Sequence, residues 1–158
     1  TPLRDFPTAL YTEPYTYDDT IVGNANSGNL YQHEVGVNDD GTAMTCFIQS
    51  NDFDLTEGDQ FMLTRRIIPD ISFNQSTAAT PGVTFEMRPR NFPGSTYSSD
   101  PSDTQSVLTT SANVNVFTDQ VFIRARARQM ALKIASDTLD VQWQLGSPRL
   151  DVRPDGRR

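Results

Sequence analysis

The alternation from Val121 to Arg128 constrains this chain more than any other feature. Val121, Ile123, Ala125 and Ala127 fall at one set of positions, and Phe122, Arg124, Arg126 and Arg128 at the other. In an extended chain the two sets project from opposite faces, so the segment predicts a half-buried strand with arginines on its outer side. Such a motif describes a surface that packs against something. Downstream, Val141, Trp143 and Leu145 alternate with Gln142 and Gln144, Gly146 and Pro148 break the pattern, and Leu150 and Val152 resume it. That spacing predicts a second strand, a turn and a short final strand, with Trp143 as a core anchor.

The stretch between these strands is harder to read. After Ala127 the apolar positions slip to Met130, Leu132 and Ile134, and a β-bulge would restore the register. Ala127, Met130, Ala131 and Ile134 also fit helical spacing, and Arg, Ala, Gln, Met, Leu and Lys form helices readily. The clean Val/Ile/Phe alternation of the first half favours two strand halves around a bulge.

The rest of the chain agrees with an all-β protein. Hydrophobic residues make up 36% of the 158, and lysine occurs once, at Lys133; a helical bundle would use Lys, Glu and Ala more freely on its surface. A chain of this length suits one domain. Strands are predicted over 30–37 and 43–49, joined by the tight-turn sequence N-D-D-G at 38–41, then over 60–68, 83–87 and 107–116. Pro69 and Pro89 are expected to close the strands before them, because proline has no N–H for the ladder. Residues 91–106 read as a long exposed loop. Pro2, Pro7 and Pro14 interrupt residues 1–28, which read as an irregular arm whose Tyr11, Tyr15 and Tyr17 cover a surface of this domain or of a neighbour. The expected architecture is an antiparallel β-sandwich of seven to nine strands, jelly-roll-like, over 29–158, with a Pro-rich amino-terminal arm. The initial Thr1 suggests that further sequence precedes it.

Net charge is −7 with an isoelectric point near 4.5, so the summed field repels a phosphate backbone. The arginines modify this locally. Arg65 and Arg66, Arg88 and Arg90, and the 124/126/128 row would form a patch if their strands were neighbours. Such a patch suits DNA in a channel less well than it suits the plentiful carboxylates, within the chain or across a subunit contact. No apolar run is long enough to cross a bilayer, and the chain reads as soluble when isolated.

Residue types also weigh against catalysis. His33 is the only histidine and Cys46 the only cysteine. His33 and Glu34 are adjacent and would point to opposite faces of a strand, and no G-x-S-x-G elbow places a nucleophile. Cys46 excludes an internal disulfide and reads as a buried structural thiol. Asp39, Asp40, Asp52, Asp54, Glu57 and Asp59 lack the spacing of an EF-hand loop. Asp52, Asp54 and Asp59 come closest to a calcium set, but turn capping explains the acids more simply. The expectation is no enzyme, no cofactor and no metal.

The ordered set L-Y-Q-H-E-V-G-V-N-D-D-G (30–41), I-Q-S-N-D-F-D-L-T-E-G-D-Q-F-M-L-T-R-R-I-I-P-D (48–70), M-R-P-R-N-F-P-G (87–94), R-A-R-A-R-Q-M-A-L-K-I (124–134) and terminal R-P-D-G-R-R resembles the C-terminal region of large virion structural proteins of tailed bacteriophages. Within that group it resembles the tail hub, nozzle or stabilisation proteins of short-tailed phages. The resemblance implies an assembly domain in a phage tail, forming a homo-oligomeric ring and contacting other virion proteins. Arg124, Arg126, Arg128, Tyr11, Tyr15 and Tyr17 are then the expected interface residues. A capsid decoration protein or a carbohydrate-binding sandwich would share the fold without the location.

Overall fold

The computed structural model describes residues 36–39, 41–98 and 108–157. In chain order the strands are β1 (Asn38–Asp39), β2 (Thr42–Ala43), β3 (Cys46–Gln49), β4 (Phe53–Asp54), β5 (Met62–Ile68) and β6 (Ile71–Ser72). They continue as β7 (Gly82–Arg90), β8 (Thr110–Asn115), β9 (Val121–Ala127), β10 (Gln129–Ser136), β11 (Gln144–Leu145) and β12 (Arg149–Pro154). One sheet has the order β3-β10-β7-β8 with β4 also paired to β10; the other has the order β12-β5-β9. Two short pairs, β1-β2 and β11-β6, flank them, and every pairing between named strands is antiparallel. The fold is an all-β sandwich, with more and shorter strands among the described residues than the seven to nine expected.

The core forms where alternating residues of the two sheets meet. Val121, Ile123, Ala125 and Ala127 of β9 and Met62 and Ile67 of β5 pack with Val83, Phe85 and Met87 of β7 and Met130 and Ile134 of β10. The buried Thr64 hydroxyl reaches across the layers and donates to Met130 Sδ at 3.3 Å. That bond satisfies a polar group with no access to water.

The slip after Ala127 has a different cause from the expected bulge. β9 pairs with β5 in one sheet, while β10, beginning two residues after β9 ends, pairs with β3, β4 and β7 in the other. Arg128 is therefore the point where the chain changes layers, as strands do at the corners of sandwiches. Ala127 and Met130 both face the core from their separate sheets.

Three other expectations need correction. Strands pair on either side of N-D-D-G, with Gly41 at φ +78°, but they are only Asn38–Asp39 and Thr42–Ala43. Cys46–Gln49 instead pairs with Lys133–Ser136, because the chain breaks at Met44–Thr45 and a longer apolar strand offers a better partner. Most of the predicted 30–37 strand, and the 1–28 arm, lie outside the described residues. Pro89 does not end its strand: β7 runs to Arg90, with Pro89 opposite Met130. Its pairing to β8 stops at Met87, so at Pro89 the strand has a ladder on one side only, where a residue lacking an N–H is tolerated.

Trp143 is the third correction. It packs against the core while remaining half-buried, in a segment held by side chains instead of a ladder. Ser76 Oγ donates to the Gln142 carbonyl at 2.6 Å and accepts from the Gln142 N–H at 2.8 Å. The indole Nε1 donates to Cys46 Sγ at 3.2 Å, so the half-buried thiol is an acceptor in a structural contact. Just beyond, Gly146 donates to the Asp70 carbonyl at 2.8 Å, and the Asp70 carboxylate accepts from Ser147 N at 2.7 Å. A Cβ at Gly146 would overlap that carboxylate, which is why this turn requires glycine.

Candidate interaction face

The outer side of the β12-β5-β9 sheet carries the arginines. Along β9, Phe122, Arg124 and Arg126 are exposed in alternation with the buried apolar positions. On β5 the alternation is broken. Thr64 and Ile67 are both buried, so the intervening Arg65 and Arg66 both leave the core. A register shift between Thr64 and Arg66 against β9, and another opposite Asp151/Val152 of β12, account for this. A bulge re-aims side chains in this way. Arg65, Arg66 and Arg124 thus converge with Arg153 of β12 around an open groove of about 670 Å³, with Phe122 and Leu63 supplying apolar surface. Phe122 is 74% exposed.

The three arginines of the 124/126/128 row do not share one environment. Arg126 pairs with Asp155, donates from Nη2 to the Asp155 carbonyl at 3.1 Å, and lies 4.1 Å from the Phe61 ring centroid. Arg128 sits at the layer change, not on the outer strand face. Its guanidinium donates to the carbonyls of Gly58 and Asp59 at 3.0 and 3.2 Å and stands 4.8 Å from the same ring. Its Nη2 also reaches the Arg157 carbonyl at 3.4 Å. These two arginines fasten the terminal R-P-D-G-R segment to the body of the sheet. For Arg126 an acid is therefore supplied within the chain. Both partners are 42% exposed, so the pair contributes at most about 1 kcal/mol.

Arg66 donates to Gln120 Oε1 at 3.2 Å, and Arg153 lies 3.6 Å from Asp151. Arg65 and Arg124 have no hydrogen bond, ion pair or ring contact among the described residues. The sequence singled out Arg124 and placed Phe122 on the same face without counting it among the interface residues, and it passed over Arg153. Arg153 too was legible as an outward position, one step beyond Val152.

Arg88 and Arg90 belong to the other sheet, on β7, so the three arginine groups do not merge into one patch. Arg90 pairs with Asp52, Arg88 donates to Glu86 Oε1 at 2.9 Å, and both guanidinium groups lie over Tyr97, 5.4 and 5.1 Å from its centroid. Tyr97 Oη donates to Asp52 Oδ1 at 2.5 Å. Of the calcium set weighed in the sequence, Asp52 is thus committed to Arg90 and Tyr97, and Asp54 accepts from Gln129 Nε2 at 3.3 Å. Among the described residues no three acids, histidines or cysteines gather as a metal site would require.

Burial, then the hydrogen bond to Asp52 and its negative charge, raise the Tyr97 pKa above 10, against a smaller lowering by Arg90 and Arg88. A raised folded-state value means the phenol stabilises the fold fully below its unfolded pKa of about 10 and loses that contribution as pH rises through the folded value. Tyr97→Phe is therefore expected to be less stable than the parent near neutrality. The gap should narrow as the melting temperature is followed from pH 9 upward. A gap that is constant or widens with pH would contradict this assignment.

Tyr11, Tyr15, Tyr17 and His33 lie outside the described residues. No helix among the described residues is long and apolar enough to cross a membrane. No known family model matches the chain, and no curated protein does.

Proposed function

We propose that this chain is an assembly domain of a tailed-phage virion, the C-terminal part of a tail hub or nozzle protein that makes repeated contacts between subunits. The observation that carries the reading is the open arginine groove on the β12-β5-β9 sheet. There Arg65 and Arg124, with no partner among the described residues, stand beside the exposed Phe122 in a chain that is acidic as a whole. Arginine and large aromatics are enriched at protein contacts. The ordered motifs of the sequence supply the virion context. A heterologous contact repeated about an axis closes into a ring and satisfies every copy. The competing sugar-binding reading needs a row of aromatics on one face, whereas the exposed Phe47, Phe92, Phe117 and Phe122 stand on different elements.

The test is cross-linking mass spectrometry on purified tailed particles from the phage that encodes the chain. The expected result is its peptides in intact particles, cross-linked between copies or to other tail proteins. Its absence from washed particles would overturn the proposal.

A further inference from the structure

The arginine clusters that are complete share one composition. Arg88 and Arg90 lie over Tyr97, with Asp52 accepting from both Arg90 and the tyrosine. Arg126 and Arg128 lie over Phe61, with Asp155 on Arg126. Each combines two guanidinium groups with one aromatic ring and at least one carboxylate, Glu86 being a second acid on Arg88 in the first cluster, which joins the face-on attraction of a cation for a π system to a charge-assisted hydrogen bond. Arg65 and Arg124 form a third couple, on the outer face of β5 and β9; Phe122, Asp151 and Asp155 line the same groove, but among the described residues neither arginine makes a ring contact or an ion pair.

Rings and carboxylates that could supply those contacts occur together in the sequence. Y-T-E-P-Y-T-Y-D-D at 11–19 holds three tyrosines and three acids and no basic residue, and residues 1–36 carry five acids against the single Arg4. Extended at about 3.3 Å per residue, the segment from Glu13 to Asp19 spans roughly 20 Å, ample to cross three strands spaced about 4.8 Å apart. We infer that the Tyr11–Asp19 segment of a second copy docks on the Arg65/Arg124 groove, each copy giving its segment to the next. This deepens the assembly reading and rests on it for the repeated contact.

The test uses the full chain and mass photometry, with sedimentation to cover higher concentrations. One variant carries Arg65→Glu and Arg124→Glu; the other carries Asp18→Lys and Asp19→Lys. The parent is expected to self-associate, and each variant alone to do so about tenfold more weakly. An equimolar mixture should recover the association, because each reversed segment then meets a reversed groove. Matching melting temperatures establish that the variants fold. If the groove variant does not fold, a photo-reactive phenylalanine analogue at Tyr15, in a mixture of isotopically light and heavy chains, should cross-link between copies to the Phe122 peptide.

A parent that remains monomeric at about 100 μM overturns the inference. So does either variant associating like the parent, or a mixture that does not recover. Capture of a short DNA duplex by the parent, lost only in the groove variant, would make the groove a nucleic-acid face and overturn it as well. If copies cross-link within particles through other surfaces, this inference fails while the assembly reading stands.

Discussion

Replacing Phe85 with alanine is expected to lower the stability of the fold by about 3 to 5 kcal/mol, the range for deleting a fully buried aromatic ring. Phe85 is 0% exposed and the largest of the fully buried side chains. It sits mid-way along β7, opposite Ala112 of β8 and Ile134 of β10, so the sheet is paired on both sides of it and resists collapse into the space left behind. Single domains have only about 5 to 15 kcal/mol to lose, and at this chain length the change corresponds to roughly 10 °C in melting temperature. Urea unfolding of Phe85→Ala beside Phe85→Leu checks it. The leucine variant should lose far less, since most of the volume remains. A loss below about 1 kcal/mol for alanine would mean that the two sheets close over the site and that the core does not depend on this ring.

How much of this could be read from the residues follows from where the information is stored. The β9 pattern was legible because burial on one face writes a period of two directly into the sequence, and Val121 to Ala127 obey it without exception. Trp143 obeyed the same rule and packs on the core side, but it is only half-buried, since its segment is held by the Ser76 hydroxyl, a contact between positions 66 residues apart that leaves no periodic trace. Strand partners were harder still. Nothing local to Cys46–Gln49 distinguishes a hairpin with its predecessor from a ladder with Lys133–Ser136. The same limit hid the groove. Adjacent residues in a regular strand point to opposite faces, so Arg65 and Arg66 could not both be assigned outward. Only register shifts against two neighbouring strands put them there. The slip at Arg128 was visible, but a bulge and a change of sheet produce the same one-residue offset.

Removing Arg90 is expected to cost about 2 to 4 kcal/mol, somewhat less than the 3 to 5 typical for stripping one partner from a fully buried ion pair. The discount follows from exposure: the Arg90 and Asp52 side chains are 19% and 15% accessible, so water recovers part of the loss. In Arg90→Ala the Asp52 carboxylate would keep its bond from Tyr97 but lose its counter-charge, and Tyr97 would lose one of the two cations over its ring. The pair itself is a weak source of net stability, because Arg90 Nε is buried without a hydrogen-bond partner and desolvating two charges consumes most of their attraction. A double-mutant cycle separates these terms. Asp52→Ala and Arg90→Ala should each destabilise strongly, while the double variant should lose less than their sum by about 1 to 3 kcal/mol, since neither charge is then stranded. Additive losses would mean that the two side chains act independently, through their packing alone, and that the Asp52–Arg90–Tyr97 cluster is not a coupled unit.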